Sequence, residues 1–294
     1  METEGLNTLA AGDGASVRRQ FAWQVPERFS IPEVCCDRWP QPTPEAPPII
    51  DVGPAGRRDV WTFRRLKEAS DALAATLARM GTKRGDRVAV LLSQSPAVMV
   101  AHFAAHKLGA ISLPLFTLFG EDALAYRLND SGASAVITDD DNLDRLIAVA
   151  GAGLSTVVTT GTRKGQGMPR VVPWAEALTR GPDFEPAPVT ADDPAVMIYT
   201  SGTTGAPKGA LHAHRFLVGH LPSVEMVLER PHAGDVAWTP ADWAWIGGLM
   251  DLAMPALYFG LPLVAHRMRK FDAGQAYALM RDEGVTLSFL PPTA

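Results

Sequence analysis

The chain is short of cysteine, of net charge and of long apolar runs, and each shortage excludes something. Of its 294 residues two are cysteines, Cys35 and Cys36, and they are adjacent. Neighbouring cysteines bridge poorly to each other, so no disulfide framework is available and a reducing compartment fits. Two idle, buried thiols are expected. The formal net charge is -5, which exerts no global pull toward nucleic acid or an anionic membrane. A membrane span needs about 18 uninterrupted apolar residues. Leu249–Leu263 comes nearest, and Asp251, Pro255, Gly260 and Pro262 interrupt it. Met1–Gln20 has no basic start followed by an apolar run, so it is not a secretory signal. Internal repeats and low-complexity tracts are absent as well. A soluble, cytoplasmic protein with no nucleic-acid partner and no membrane span is expected, and a homo-oligomer stays open.

What is present is ordinary globular material. Hydrophobic residues make up 47% and charged residues 20%, enough for a substantial core in two domains or one large one. Residues 1–50 read as irregular, with Pro40, Pro42, Pro44, Pro47 and Pro48 crowded where no regular helix can form. Thr62 can cap a helix to about Met80, because Leu66, Ala69, Leu73, Leu77 and Met80 recur at helical spacing before Gly81. Arg87–Leu92 is a short apolar run that reads as a buried strand. Ser95 and Pro96 open a second helix that runs to Leu108.

Further strands are expected at Ile111–Leu115, Ala135–Thr138 and Thr156–Thr160, and helices at Glu121–Asn129 and Leu143–Ala150. The pattern resumes with strand Ala195–Tyr199 and a helix over Phe216–Leu228. Strand Val236–Trp238, helix Ile246–Phe259, strand Leu263–Ala265, helix Ala273–Asp282 and strand Thr286–Leu290 complete it. Alternation of this kind builds an α/β fold of mostly parallel sheets flanked by helices. The proline- and acid-rich stretch 181–194 reads as a linker between a first sub-domain, 51–180, and a second, 195–294. The chain stops at Pro291-Pro292-Thr293-Ala294 with no closing element, and a fragment is expected.

The chemistry concentrates in Tyr199-Thr-Ser-Gly-Thr-Thr-Gly-Ala-Pro-Lys-Gly209. Gly202, Gly205 and Gly209 permit unusual backbone angles and close approach to a ligand. Successive N–H groups there can form a nest for phosphate oxygens. Thr200, Ser201, Thr203 and Thr204 add uncharged donors, and Lys208 adds a compact positive charge. The P-loop of NTPases needs Gly-Lys-Ser/Thr opening a helix. Here Lys208 lies between Pro207 and Gly209, with no hydroxyl residue beside it for magnesium, so that reading fails.

Tyr199–Arg215 (YTSGTTGAPKGALHAHR) resembles the signature of the AMP-binding, adenylate-forming superfamily. Thr62–Leu92, Lys107–Phe119 and Asp130–Thr138 are similar to segments of the same family. Asp242–Gly248 (DWAWIGG) and Lys270–Ala294 resemble its acetyl- and medium-chain acyl-CoA synthetase branch, although Ala244 stands where that branch often has glycine. The resemblance implies that Thr200, Ser201, Gly202, Thr203, Thr204, Gly205, Lys208 and Gly209 grip the β- and γ-phosphates of ATP. It implies as well that Thr204 lies near magnesium and that Lys208 carries the catalytic charge. The substrates implied are a short- or medium-chain carboxylic acid, ATP with Mg2+, and coenzyme A. It also implies the large N-terminal domain of such an enzyme, incomplete at its C-terminus. The adenine-contacting Thr-Glu segment, the ribose-binding aspartate and the mobile C-terminal domain with its lysine would follow Ala294, so the fragment alone is expected to be inactive or nearly so. Rivals are a non-catalytic nucleotide-binding remnant and an adenylation domain that loads a carrier protein.

Trp238, Trp243 and Trp245 could line an acyl or pantetheine channel or simply pack the core; Trp245 is the strongest candidate. Asp242 fits either a ligand-orienting role or a turn. His212 and His214 have metal-like spacing but no cysteine or acidic partner at a fitting distance, so zinc is not expected. His214-Arg215 could pack near the glycine-rich loop. Asp139–Asp141 reads as a solvated acidic cap or loop.

Overall fold

The structure, a computed structural model, describes residues 9, 12–40, 46–53, 56–179, 184–200, 205–229, 231–268 and 270–291. Asp13 caps the first helix, α1 (Gly14–Gln20), by accepting the Ser16 amide at 2.7 Å. A π-helical turn over Glu33–Asp37 buries Val34, Cys35 and Cys36. Strands β1 (Ile49–Val52) and β2 (Arg58–Trp61) form an antiparallel pair. The irregular segment expected over 1–50 is therefore corrected in its described part. Pieces this short carry no periodic signal, and it is packing against the rest of the chain that orders them.

From Thr62 onward the expected rhythm holds, with an unexpected strand and short helix over 170–177 and an unexpected strand over 208–213. Thr62 caps α2 (Phe63–Arg79) through the Arg65 amide at 3.1 Å. Then come β3 (Arg87–Leu91), α3 (Pro96–Lys107), β4 (Ile111–Pro114), α4 (Glu121–Ser131) and β5 (Ala133–Thr138). They are followed by α5 (Asp140–Val149), β6 (Thr156–Thr159), β7 (Arg170–Pro173) and the short α6 (Trp174–Ala177). Gly132 ends α4 at φ 61, a left-handed conformation that glycine adopts without penalty. Asp139 caps α5 through the Asn142 amide at 2.9 Å.

The second half holds β8 (Pro194–Thr200), β9 (Lys208–Ala213), α7 (Phe216–Val227) and β10 (Ala237–Trp238). The single helix expected over 246–259 is instead α8 (Ile246–Gly248), a π-helical turn over Leu249–Ala253, and α9 (Met254–Tyr258). Pro255 has no N–H to return to the Asp251 carbonyl, so the regular ladder cannot run through this point. Strand β11 (Leu263–Ala265), α10 (Ala273–Asp282) and β12 (Leu287–Ser288) follow. No helix among the described residues is long and apolar enough to cross a membrane.

Two sheets result. One has the order β7-β6-β5-β3-β4-β8-β9, parallel except for the β8–β9 hairpin. The other has the order β12-β10-β11-β1-β2, parallel except for β1–β2. The sheets do not divide at 181–194. Strands β8 and β9 complete the sheet of residues 87–173, and β1 and β2 join the sheet of residues 237–288.

Side chains alternate across the larger sheet. Val88 and Val90 enter a core with α2 and α3, whereas Ala89 and Leu91 enter a second core with Leu124 and Leu128 of α4. The first core also reaches the smaller sheet through Ile49, Leu263 and Ala265, and it takes in Phe29, Ile31 and Val34. In the larger sheet β3 lies between β4 and β5, so the strand order reverses there. Open α/β sheets bind ligands beyond the carboxyl ends of their strands, at such reversals. The segments leaving those ends here begin at Leu92, at Leu115 and after Thr200.

Candidate active site

Strands β8 and β9 pair antiparallel, with Thr200 opposite Lys208 and Tyr199 opposite Gly209. Positions 201–207 join the two paired strands in sequence, and strand β9 replaces the loop expected through Gly209. Thr200, Gly205, Lys208 and Gly209 are exposed. Ser201, Gly202, Thr203 and Thr204 lie outside the described residues. Gly205 has φ 108, which side chains rarely adopt. A Cβ on Gly209 would come 3.0 Å from the Met197 sulfur, so the glycine allows close packing across the hairpin. Among the described residues no carboxylate forms an ion pair with Lys208. A compact, exposed cation beside main-chain and hydroxyl donors suits a multiply charged phosphate.

Asp242, Trp243 and Trp245 lie on the 239–248 segment. Gln94, buried in the loop after β3, donates to the Ala241 carbonyl at 3.0 Å. Asp242 Oδ1 accepts the Ala244 amide at 2.9 Å, and the Asp242 carbonyl accepts the Trp245 amide at 3.0 Å. The half-buried carboxyl of Asp242 is thus built into a turn. Burial pushes its proton affinity up, while the Ala244 amide and Arg267 pull the other way.

Trp243 is 1% exposed and Trp238 is 0% exposed, and both belong to buried cores. Trp245 is 61% exposed. Its ring meets the edge of Phe116 at 5.5 Å, and Phe116 meets Phe119 at 5.2 Å. The Arg127 guanidinium lies 4.0 Å from the Phe119 ring and 5.7 Å from the Tyr199 ring. A continuous row of contacts thus joins Trp245 to the strand that enters the phosphate-type turn.

His214 is turned inward, away from solvent, where its Nδ1 accepts the Ile31 amide at 3.2 Å. Its neighbour Arg215 pairs with Asp192. His212 stacks on Phe216 at 3.9 Å. No group of three or more His, Cys, Asp or Glu able to hold a metal occurs among the described residues. Sequence reasoning missed two contacts near the 239–248 segment. One is Gln94 beneath Ala241. The other is His220, whose Nδ1 stands 2.8 Å from Asp251 Oδ1, next to Gly247. Neither had a signal in the sequence, since partners 31 and 147 positions apart carry no local pattern. A cavity of about 770 Å³ between α2, Trp174 and Phe184 is lined by none of the residues of this site.

A mostly parallel α/β sheet with a hairpin bounded by Thr200 and Lys208 at the carboxyl ends of its strands is a scaffold of the nucleotide-using class. The chain belongs to the family of AMP-binding enzymes, which it matches over residues 36–294. It is 33% identical over 286 residues to the acetyl-coenzyme A synthetase of Xanthobacter autotrophicus, covering 88% of this chain and 43% of that protein. It is 29% identical over 301 residues to acetyl-coenzyme A synthetase 2 of Kluyveromyces lactis, covering 96% of this chain and 44% of that protein.

Among solved structures, a Brucella canis acyl-CoA synthetase superposes with a TM-score of 0.82 at 28% identity, over 97% of this chain and 52% of that one. An anthranilate CoA ligase in complex with anthranoyl-AMP superposes with a TM-score of 0.79 over 90% of this chain and 50% of that one; at 22% identity it shares the fold. The chain spans about half the length, or less, of these relatives.

Proposed function

We propose that the protein carrying this chain is an ATP-dependent carboxylate–CoA ligase that activates a short- or medium-chain acid as an acyl-adenylate. The observation that carries this reading is the hairpin turn bounded by Thr200 and Lys208, in a chain that matches the AMP-binding enzymes over residues 36–294. The acetyl-coenzyme A synthetases it resembles support coenzyme A as the acceptor. The free, buried thiols of Cys35 and Cys36 support a cytoplasmic setting.

Two half-reactions are proposed. A carboxylate oxygen attacks the α-phosphorus of ATP, the bond to the bridging oxygen breaks, and pyrophosphate leaves. The coenzyme A thiolate then attacks the acyl carbon and AMP leaves with the electron pair. Charge accumulates on the departing pyrophosphate in the first step. Lys208, Thr200 and the amides around Gly205 would stabilise it, together with Ser201, Gly202, Thr203, Thr204 and Gly209. Mg2+, held through the phosphates near Thr204, would supply further charge neutralisation. Exposed Trp245 and the Asp242 turn would border the acid, with Trp243 packed behind them.

The test is carboxylate-dependent exchange of labelled pyrophosphate into ATP across a panel of acids, followed by coenzyme A or a carrier protein as acceptor. Exchange is expected with short or medium acids. Lys208→Gln is expected to lower its rate about a hundredfold or more without changing thermal stability, since the side chain is exposed. Failure of every acid, or full exchange by the Lys208→Gln variant, would overturn the reading.

A further inference from the structure

Lys208 begins β9, which among the described residues is the last strand of its sheet, with a strand partner on one side. An edge hairpin of this kind opens easily unless something outside the sheet restrains it. Helix α4 supplies that restraint on both flanks of the turn. Tyr126 donates its hydroxyl to the Pro207 carbonyl at 2.9 Å, immediately before Lys208. Tyr199, immediately before Thr200, donates its hydroxyl to Asp130 Oδ2 at 2.5 Å. Tyr126 and Asp130 are four residues apart on α4 and so share one face.

The same face is braced by aromatic contacts. The Tyr126 and Tyr199 rings meet edge to face at 6.3 Å, with an interplanar angle of 84°. Arg127, largely buried, donates to the Ala123 carbonyl at 2.8 Å and lays its guanidinium between Phe119 and Tyr199. Burial, and then Asp130, push the Tyr199 phenol above its ordinary range, so the hydroxyl stays a donor.

We infer that Tyr126 and Asp130 are positioning residues that fix the two flanks of the phosphate turn, and through them Lys208 and Thr200. This rests on the ligase reading above for its catalytic meaning, though not for the tether itself. Tyr126 and Asp130 act through the hairpin they hold. Their effect is to spare the incoming phosphates the cost of ordering the hairpin, which is the usual benefit of preorganisation.

The experiment uses the protein that carries this chain, with Tyr126→Phe and Asp130→Ala as disruptive variants and Asp130→Asn as a conservative one. Phenylalanine keeps the ring and removes only the donor, while asparagine keeps an acceptor oxygen. Tyr126→Phe and Asp130→Ala are each expected to raise KM for MgATP about two- to tenfold, the range set by one hydrogen bond. KM for the carboxylate and the melting temperature should stay unchanged, and Asp130→Asn should restore most of the loss. In the ligand-free protein, amide hydrogen exchange at Ala206, Lys208 and Gly209 should accelerate in the disruptive variants.

Unchanged exchange at those amides overturns the tether. So does a fall in melting temperature with equal changes in both KM values, which marks a merely structural role. If the unaltered protein catalyses no ATP–pyrophosphate exchange, the ligase reading fails, and amide exchange still decides whether α4 holds the hairpin.

Discussion

A methyl group on the Cα of Gly248 would lie 2.5 Å from the carbonyl oxygen of Asp242 and 2.9 Å from that of Ala241. Both obstacles are backbone, so neither can swing aside. The glycine is needed for this close approach, since its own φ of -63 suits any residue. Gly248→Ala is expected to cost about 1–3 kcal/mol by overpacking and to push the Asp242–Trp245 turn outward. Urea unfolding would give the first quantity, and fluorescence of the exposed Trp245 would report the second. Unchanged stability and emission would show that the turn yields freely.

Lys107 is fully buried and spends all three of its donors. Its ammonium lies 2.8 Å from Asp37, 2.6 Å from Asp71 and 2.9 Å from the Ser70 hydroxyl. Burial by itself would weaken its hold on the proton, but the carboxylates more than offset this and raise its affinity. The network ties the π-helical turn at Glu33–Asp37 to α2 and α3. Lys107→Met leaves Asp37 without its cation and Asp71 with Lys67 alone, and is expected to cost about 3–5 kcal/mol. Adding Asp37→Asn and Asp71→Asn should recover most of that loss in urea titrations. A single Lys107→Met variant as stable as the parent would show that water already compensates the pair.

His102, His106 and His214 form a buried row, with ring centroids 6.2 Å and 5.3 Å apart. Burial lowers His102 to about 3 and His214 to about 4, with Asp193 opposing and Arg84 assisting at His214. His106 falls well below its ordinary value, through burial first and then its two histidine neighbours. The folded state therefore keeps these rings neutral, while the unfolded chain protonates them below about pH 6.5. Stability from this source is full above that value and is lost as the pH falls from 6.5 toward 4. Each ring contributes a slope of about 1.4 kcal/mol per pH unit. Between pH 6.5 and 5 the unfolding free energy should fall steeply, and His102→Leu should remove about one proton from the slope. A flat profile over that window would refute the neutral row.

Cys35 and Cys36 are both 0% exposed. Burial pushes both thiols up, with Arg38 opposing at Cys35 and Asp37 reinforcing at Cys36. A thiol that is neither accessible nor ionised is inert. A chromogenic disulfide reagent is expected to label neither residue in the native protein and both after denaturation. Rapid labelling of either thiol in the native state would mean that the 33–37 turn opens readily.

Much of the first half was legible because its elements announce themselves locally. Thr62 before an apolar stripe, Gly81 after it and Pro96 at the start of α3 act within a few residues. The phosphate-type turn was legible for the same reason, since its glycines, hydroxyls and lysine are consecutive. The 14–61 region was not, because its helix, π-helical turn and paired strands are too short to carry a period. Helix 246–259 was read as continuous because apolar residues fill it, yet a missing amide at Pro255 outweighs hydrophobic pattern.

By itself, then, the sequence determined the order of most strands and helices from Thr62 onward, the composition of the 200–209 turn and its exclusion from the P-loop class. These depend on neighbours along the chain: caps, glycine, and one lysine between proline and glycine. Tertiary structure alone decided that β8 and β9 complete the first sheet while β1 and β2 cross to the second. It decided that Trp243 is core and Trp245 surface, and that Tyr126 and Asp130 hold the turn from a helix about 70 to 80 positions away. The reason is that strand partners, burial and long-range hydrogen bonds are set by how whole elements stack, and a one-dimensional pattern records only the side chains that make the stacking favourable.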